Sequence, residues 1–169
     1  MNQKITGIIL TIFLIAFPSY LVYELYYMDK VFFLCPIDYK QDTMVIRSDS
    51  YGNGDFLARR NGLRRHNGID LKAPIGTPVY AARAGKVLRA RFHKGMGNYV
   101  QLLHPSGYIT IYGHLSRISV REKQLVRQGD KIGEVGKTGN ANYHRLIPHL
   151  HLEVRNYGVP LDPMAFLSN

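Results

Sequence analysis

The stretch Pro148-His149-Leu150-His151-Leu152-Glu153-Val154 sets the tightest limit on how this chain can fold. Apolar residues recur there at every second position, the period of a strand whose successive side chains point to opposite faces. Leu150 and Leu152 then share one face, and His149 and His151 share the other. Two adjacent imidazoles build a core poorly. They serve well to present two nitrogens to one metal ion, or one to a metal and one to a substrate.

Two further segments carry the same kind of residue. His66-Asn67-Gly68-Ile69-Asp70-Leu71 places His and Asp four residues apart, and on a strand these lie on one face. Gly68 inside the segment and Pro74 just after it argue against a helix. His114 stands in Tyr112-Gly113-His114-Leu115, after the alternating run Tyr108-Ile109-Thr110-Ile111. A catalytic zinc site takes three protein ligands and keeps a position open for water. These five residues fill such a set and leave two histidines for acid–base work.

The rest of the chain is consistent with an all-β domain. Gly85–Phe92, Asn98–Leu103, Tyr108–Tyr112 and Lys131–Val135 are short β-type runs bounded by turn residues. Arg117–Arg127 is a candidate short helix, although its apolar positions are few. The length of 169 residues suits one domain with a small appendage. Hydrophobic content of 46% with 20% charged residues excludes a disordered chain. A formal charge of +10 points to a polyanionic partner: nucleic acid, anionic lipid or an acidic polymer. Arg59, Arg60, Arg64 and Arg65 crowd the approach to His66, either as a solvated face or to orient an anionic substrate. The single cysteine, Cys35, excludes an intrachain disulfide and a thiolate-rich zinc site. It is expected as a buried or linker thiol, because Leu34 before it does not suit lipid attachment.

Residues Ile5 to Tyr23 carry no charge, and as a helix they would span about 28 Å, close to a bilayer's hydrocarbon core. No small-x-small cleavage site follows Ala16, so an uncleaved transmembrane helix is expected over residues 1–24 rather than a signal peptide. Residues 25–46 form a linker or interfacial segment in this reading; they could also extend the helix or pack on the domain. The domain itself is expected over residues 47–169. The anchor would place it outside the cytoplasm, in the periplasm or at the cell surface. Nucleic acid is therefore not the expected partner.

His66-x-x-x-Asp70, Tyr112-Gly113-His114-Leu115 and His149-x-His151, in this order, resemble the lysostaphin-type zinc metallopeptidases, which hydrolyse peptide cross-links in bacterial cell walls. Ala73-Pro74-Ile75-Gly76-Thr77-Pro78-Val79, Gly136-Lys137-Thr138-Gly139 and Asp162-Pro163 are similar too, so the resemblance covers roughly Tyr51 to Leu167. It implies a mainly antiparallel sheet whose groove holds zinc. It implies His66, Asp70 and His151 as zinc ligands, with His114 and His149 as catalytic histidines that do not bind the metal. Peptidoglycan is the implied substrate, cut through a zinc-activated water at a cross-link or stem peptide. A catalytically silent wall-binding activator of another hydrolase is the alternative, because some relatives with this fold have lost ligands. Asn140–Ile147 looks longer than the family's usual connection and is expected to border the groove. His144 within it, His93 beside a turn, and His104 at a strand end are expected to be surface or structural residues.

Overall fold

The computed structural model describes residues 11–20, 32–40, 43–60 and 62–168. Among the described residues the folded part comprises fourteen strands and two 3-10 turns. In chain order the strands are β1 (Phe33–Leu34), β2 (Ser48–Asp49), β3 (Gly52–Asn53), β4 (Ile69–Lys72), β5 (Pro78–Tyr80), β6 (Gly85–His93) and β7 (Gly97–Leu103). They continue with β8 (Tyr108–Leu115), β9 (Arg117–Ile118), β10 (Leu125–Val126), β11 (Lys131–Glu134), β12 (His149–Asn156), β13 (Val159–Leu161) and β14 (Leu167–Ser168).

The main sheet runs β10-β6-β7-β8-β12-β13, with β4 also paired to β12. All its pairings are antiparallel. A smaller antiparallel sheet, β5-β11-β9, lies apart from it, and β1 pairs with β14 in parallel. The expected all-β, mainly antiparallel architecture is therefore what the chain adopts. Strand β12 is central: its first half is flanked by β4 on one side and β8 on the other. Its apolar face is fully buried, with Leu150, Leu152 and Val154 each at 0% exposure. Burying each of these side chains contributes about 1.5–3 kcal/mol, which fixes the strand's register. A slip by one residue would turn the histidines into the core and the leucines into the groove.

Of the placements open to residues 25–46, packing on the domain is the one seen for the described part. Phe33 and Ile37 belong to the buried core, and Cys35, Met44 and Ile46 pack against it. Cys35 is a partly buried thiol whose Sγ lies 3.9 Å from Met44 Sδ. Arg117–Arg127 is not a helix. It contributes β9 and β10 at its two ends, which pair with β11 and β6. Its few apolar residues are used singly: Val126 is buried, and Ile118 and Val120 pack against the core. Residues 11–20 are helical with exposed apolar side chains. Among the described residues no helix is long and apolar enough to cross a membrane. The rest of the expected 1–24 anchor lies outside the described residues.

Candidate metal centre and groove

The five residues singled out in the sequence converge at one end of the main sheet. His149 and His151 stand on β12, opposite Lys72 and Asp70 of β4. On its other side His151 faces Gly113 of β8. A Cβ on Gly113 would come within 3.4 Å of the His151 Cβ and 3.1 Å of Met96 Cε, so the glycine leaves room for the imidazole. His66 lies before β4 rather than within it. Gly68 allows the chain to pass against β12, where any Cβ would collide with the Leu152 carbonyl oxygen. His114, next to last in β8, has a left-handed conformation, with φ of 61°. Non-glycine residues rarely adopt that region, and it costs of order 1 kcal/mol or more. The His114 N–H donates to the Met96 carbonyl at 2.7 Å, which helps to hold this conformation.

His66 Nε2, Asp70 Oδ1 and His151 Nδ1 form a close trio. The separations are 3.1 Å from His66 to Asp70, 2.9 Å from His151 to Asp70, and 2.9 Å between the two imidazoles. All three residues are buried. Ligand atoms around a tetrahedral zinc stand about 3.3 Å apart, so the spacing needs only a small expansion to hold one.

The outer partners show why these atoms suit a cation. His66 Nδ1 donates to the Asp55 carbonyl at 2.8 Å, because a carbonyl only accepts; its Nε2 in the neutral ring is then a lone pair facing inward. His151 Nε2 donates to Glu153 Oε1 at 3.1 Å, which turns Nδ1 inward in the same way. Asp70 Oδ2 accepts from Arg47 Nη2 at 2.9 Å and Arg60 Nη2 at 3.2 Å, leaving Oδ1 for the centre. Carboxylate and carbonyl partners on the far nitrogen are the usual way in which ligating histidines are oriented. Burial raises the Asp70 pKa, but the His151 and His66 contacts outweigh it, and the carboxyl sits well below the usual range. Burial likewise lowers the His151 pKa, yet Asp70 and Glu153 on its two sides push it up to about 9. A cation held by this trio takes the place of that ring proton. The residues present therefore fit a zinc ion.

His114 and His149 flank the trio without joining it. His149 Nδ1 donates to the Ile147 carbonyl at 2.7 Å, and its Nε2 reaches to 3.9 Å from Asp70 Oδ1. His114 Nδ1 donates to the Thr138 carbonyl at 3.0 Å. In each ring the remaining Nε2 is a proton acceptor. Burial lowers both pKa values, that of His114 to about 3, with the neighbouring histidines adding to the effect there. Both rings are thus neutral near pH 7.

These residues line a groove of about 1000 Å³. His93 and Met96 line it, as do Asn140, Tyr143 and Leu146, so the 140–147 segment borders the groove as expected. Tyr143 stacks on Tyr51, with ring centroids 5.6 Å apart. His144 is exposed, and His104 is buried with both nitrogens engaged, to Ala84 O at 2.8 Å and Thr110 Oγ1 at 2.9 Å. Arg47, Asp49 and Glu153 are the supporting residues that the sequence reading did not assign. Glu153 could have been found there, since it continues the every-second-residue series His149, His151 on the site face.

The description of peptidase family M23 matches residues 64–163. The chain belongs to this family, the one that includes lysostaphin-type enzymes. The peptidoglycan DD-endopeptidase ShyB of Vibrio cholerae is 46% identical over 99 residues, which are 59% of this chain and 22% of the relative. The chain thus matches less than a third of the length of such curated relatives. A zinc-containing peptidase from Vibrio cholerae shares the fold with a TM-score of 0.65 and 35% identity, over 81% of this chain and 40% of the other. The lysostaphin catalytic domain of Staphylococcus simulans aligns with a TM-score of 0.59 and 32% identity, over 66% of this chain and 87% of the other.

Proposed function

We propose that this protein is a zinc metalloendopeptidase that hydrolyses peptide cross-links or stem peptides of bacterial peptidoglycan. The convergence of His66 Nε2, Asp70 Oδ1 and His151 Nδ1 carries this reading, because three buried ligand-type atoms facing one point suit a cation that displaces the His151 proton. Family membership and the ShyB match support it. The complete ligand set also disfavours the silent-activator alternative.

Zinc, when bound, supplies a Lewis acid that polarises a carbonyl and makes water nucleophilic near neutral pH. The chain's own residues do the rest. His66, Asp70 and His151 hold the ion, and Glu153 and the Asp55 carbonyl fix the ring orientations. His149 and His114 present neutral Nε2 atoms to the groove. Either ring can accept the proton of the attacking water and, once protonated, hydrogen-bond the developing oxyanion or return that proton to the leaving amine. The uncharged run from Ile5 to Tyr23 supports an extracytoplasmic placement with the domain tethered to the membrane.

Digestion of purified peptidoglycan by the full chain tests this function. New amino termini should appear, cease on chelation, and return when zinc is restored. Intact peptidoglycan after incubation with zinc-loaded protein would contradict it.

A further inference from the structure

Six arginines and two carboxylates line the groove, an excess of four positive charges. Three of the arginines are already engaged. Arg47 and Arg60 bind Asp70, and Arg155 Nε donates to Glu153 at 2.6 Å. Arg59, Arg64 and Arg65 make no ion pair among the described residues, and all three are exposed. They lie on a hairpin that leads directly into His66: Arg60 N–H donates to Arg64 O, and His66 N–H donates to Ala58 O, each at 3.0 Å.

This arrangement opposes folding. Arg59 and Arg65 are directly opposite each other across an antiparallel bridge, where like charges destabilise a pairing. Arg64 also lies across the hairpin from Arg60, a further like charge. Among the described residues no carboxylate relieves the three. An anionic ligand would do so, and the groove is where it would lie.

We infer that Arg59, Arg64 and Arg65 form a carboxylate-reading rim, which selects peptides bearing a free carboxylate near the scissile bond over their amidated counterparts. This rests on the proposed peptidase reading and names the substrate feature that the same groove prefers. Guanidinium groups suit the role because they present paired N–H donors in a plane that matches a carboxylate. Peptides offer two sources of that group: an internal acidic residue, or the chain terminus.

The test uses the zinc-loaded full chain and four synthetic stem peptides, with the internal acid free or amidated and the terminus free or amidated. Cleavage gives kcat/KM, and calorimetry with the corresponding cleavage products gives binding independently of turnover. The wild type should favour one free carboxylate by about tenfold, the sum expected of several exposed charge pairs. Arg59→Gln/Arg64→Gln/Arg65→Gln should erase that preference while keeping its zinc. The Arg-to-Lys triple variant should recover part of the preference. The preferred peptide identifies whether the internal or the terminal carboxylate is read. Discrimination in binding without cleavage would uphold the rim and defeat the peptidase reading. Cleavage with equal kcat/KM for free and amidated peptides would overturn the rim and leave the peptidase reading standing, and so would discrimination that survives in the glutamine variant. Absence of any difference in product binding and in cleavage would also overturn it.

Discussion

His151 and Arg65 both face the groove, but the chain secures them in opposite ways. His151 sits within a strand paired on both sides, with Leu150 and Leu152 buried behind it and both ring nitrogens engaged. Arg65 sits on an exposed hairpin opposite another arginine, with no ion-pair partner among the described residues. The floor is built for position: sheet register and outer hydrogen bonds fix each proposed ligand atom. The rim is built for charge, in an arrangement that costs the fold stability and gains it back only on binding. Metal chemistry needs ligand atoms held within tenths of an ångström, whereas electrostatic selection tolerates mobile side chains. The two demands fall on different parts of the fold.

The floor should break most severely. Asp70→Ala removes a proposed ligand and the carboxylate that Arg47 and Arg60 share. Zinc should be lost, and urea denaturation should show a stability loss of about 3–5 kcal/mol. Unchanged stability would mean that the two guanidinium groups are not buried against Asp70. His149→Ala and His114→Ala should each lower kcat by about 10²–10⁴-fold with zinc retained, since they remove proton transfer without removing a ligand. Arg47→Gln acts one step further out. It leaves Asp70 Oδ2 to Arg60 alone and should weaken zinc binding about 10–100-fold, as read by competition with a chelator.

Asp49 gives a smaller effect with a defined pH dependence. Its carboxylate accepts from Ile147 N–H at 3.0 Å, Tyr51 N–H at 2.9 Å and Arg47 Nη1 at 2.7 Å, so it ties the segment before His149 to the ligand-holding arginine. Burial raises its pKa, but these donors outweigh burial and leave it below the usual aspartate value. The stabilising effect is therefore full above the unfolded value of about 3.9 and fades as pH falls through the lower folded value. Asp49→Asn should cost about 1 kcal/mol at pH 7, and the gap from wild type should close in acid. A gap that stayed constant down to about pH 2 would show that the charge contributes nothing. Changes at the rim come last: Leu63→Ser, at a fully exposed hairpin position, should shift stability by less than about 0.5 kcal/mol.

The legibility of the sequence divides along the same line. The floor could be read because a strand's two-residue period is local: His149-x-His151 and the leucines between them announce both faces. Glu153 obeys the same rule, but a lone carboxylate two residues beyond His151 looks like ordinary strand polarity. Arg47, Asp49 and the Asp55 carbonyl reach the site through contacts that no local pattern encodes; Arg47 meets Asp70 across 23 residues of sequence. His104 shows the reverse case. It is as buried as the site histidines, but Ala84 O and Thr110 Oγ1 take both its nitrogens, so it has none to offer a metal. Separating it from His149 requires the partners of the second nitrogen, which only the fold supplies. The segment 117–127 was ambiguous because its apolar residues are too sparse for either period, and the neighbouring strands decided it.

The distinction between ligand and non-ligand histidines is the centre of this account, and zinc stoichiometry tests it most directly. Metal content would be measured on the full wild-type chain, His151→Ala and His149→Ala after zinc loading and removal of excess ion. About one zinc per chain is expected in the wild type and in His149→Ala, and none in His151→Ala. Zinc retained without His151, or lost without His149, would contradict that distinction.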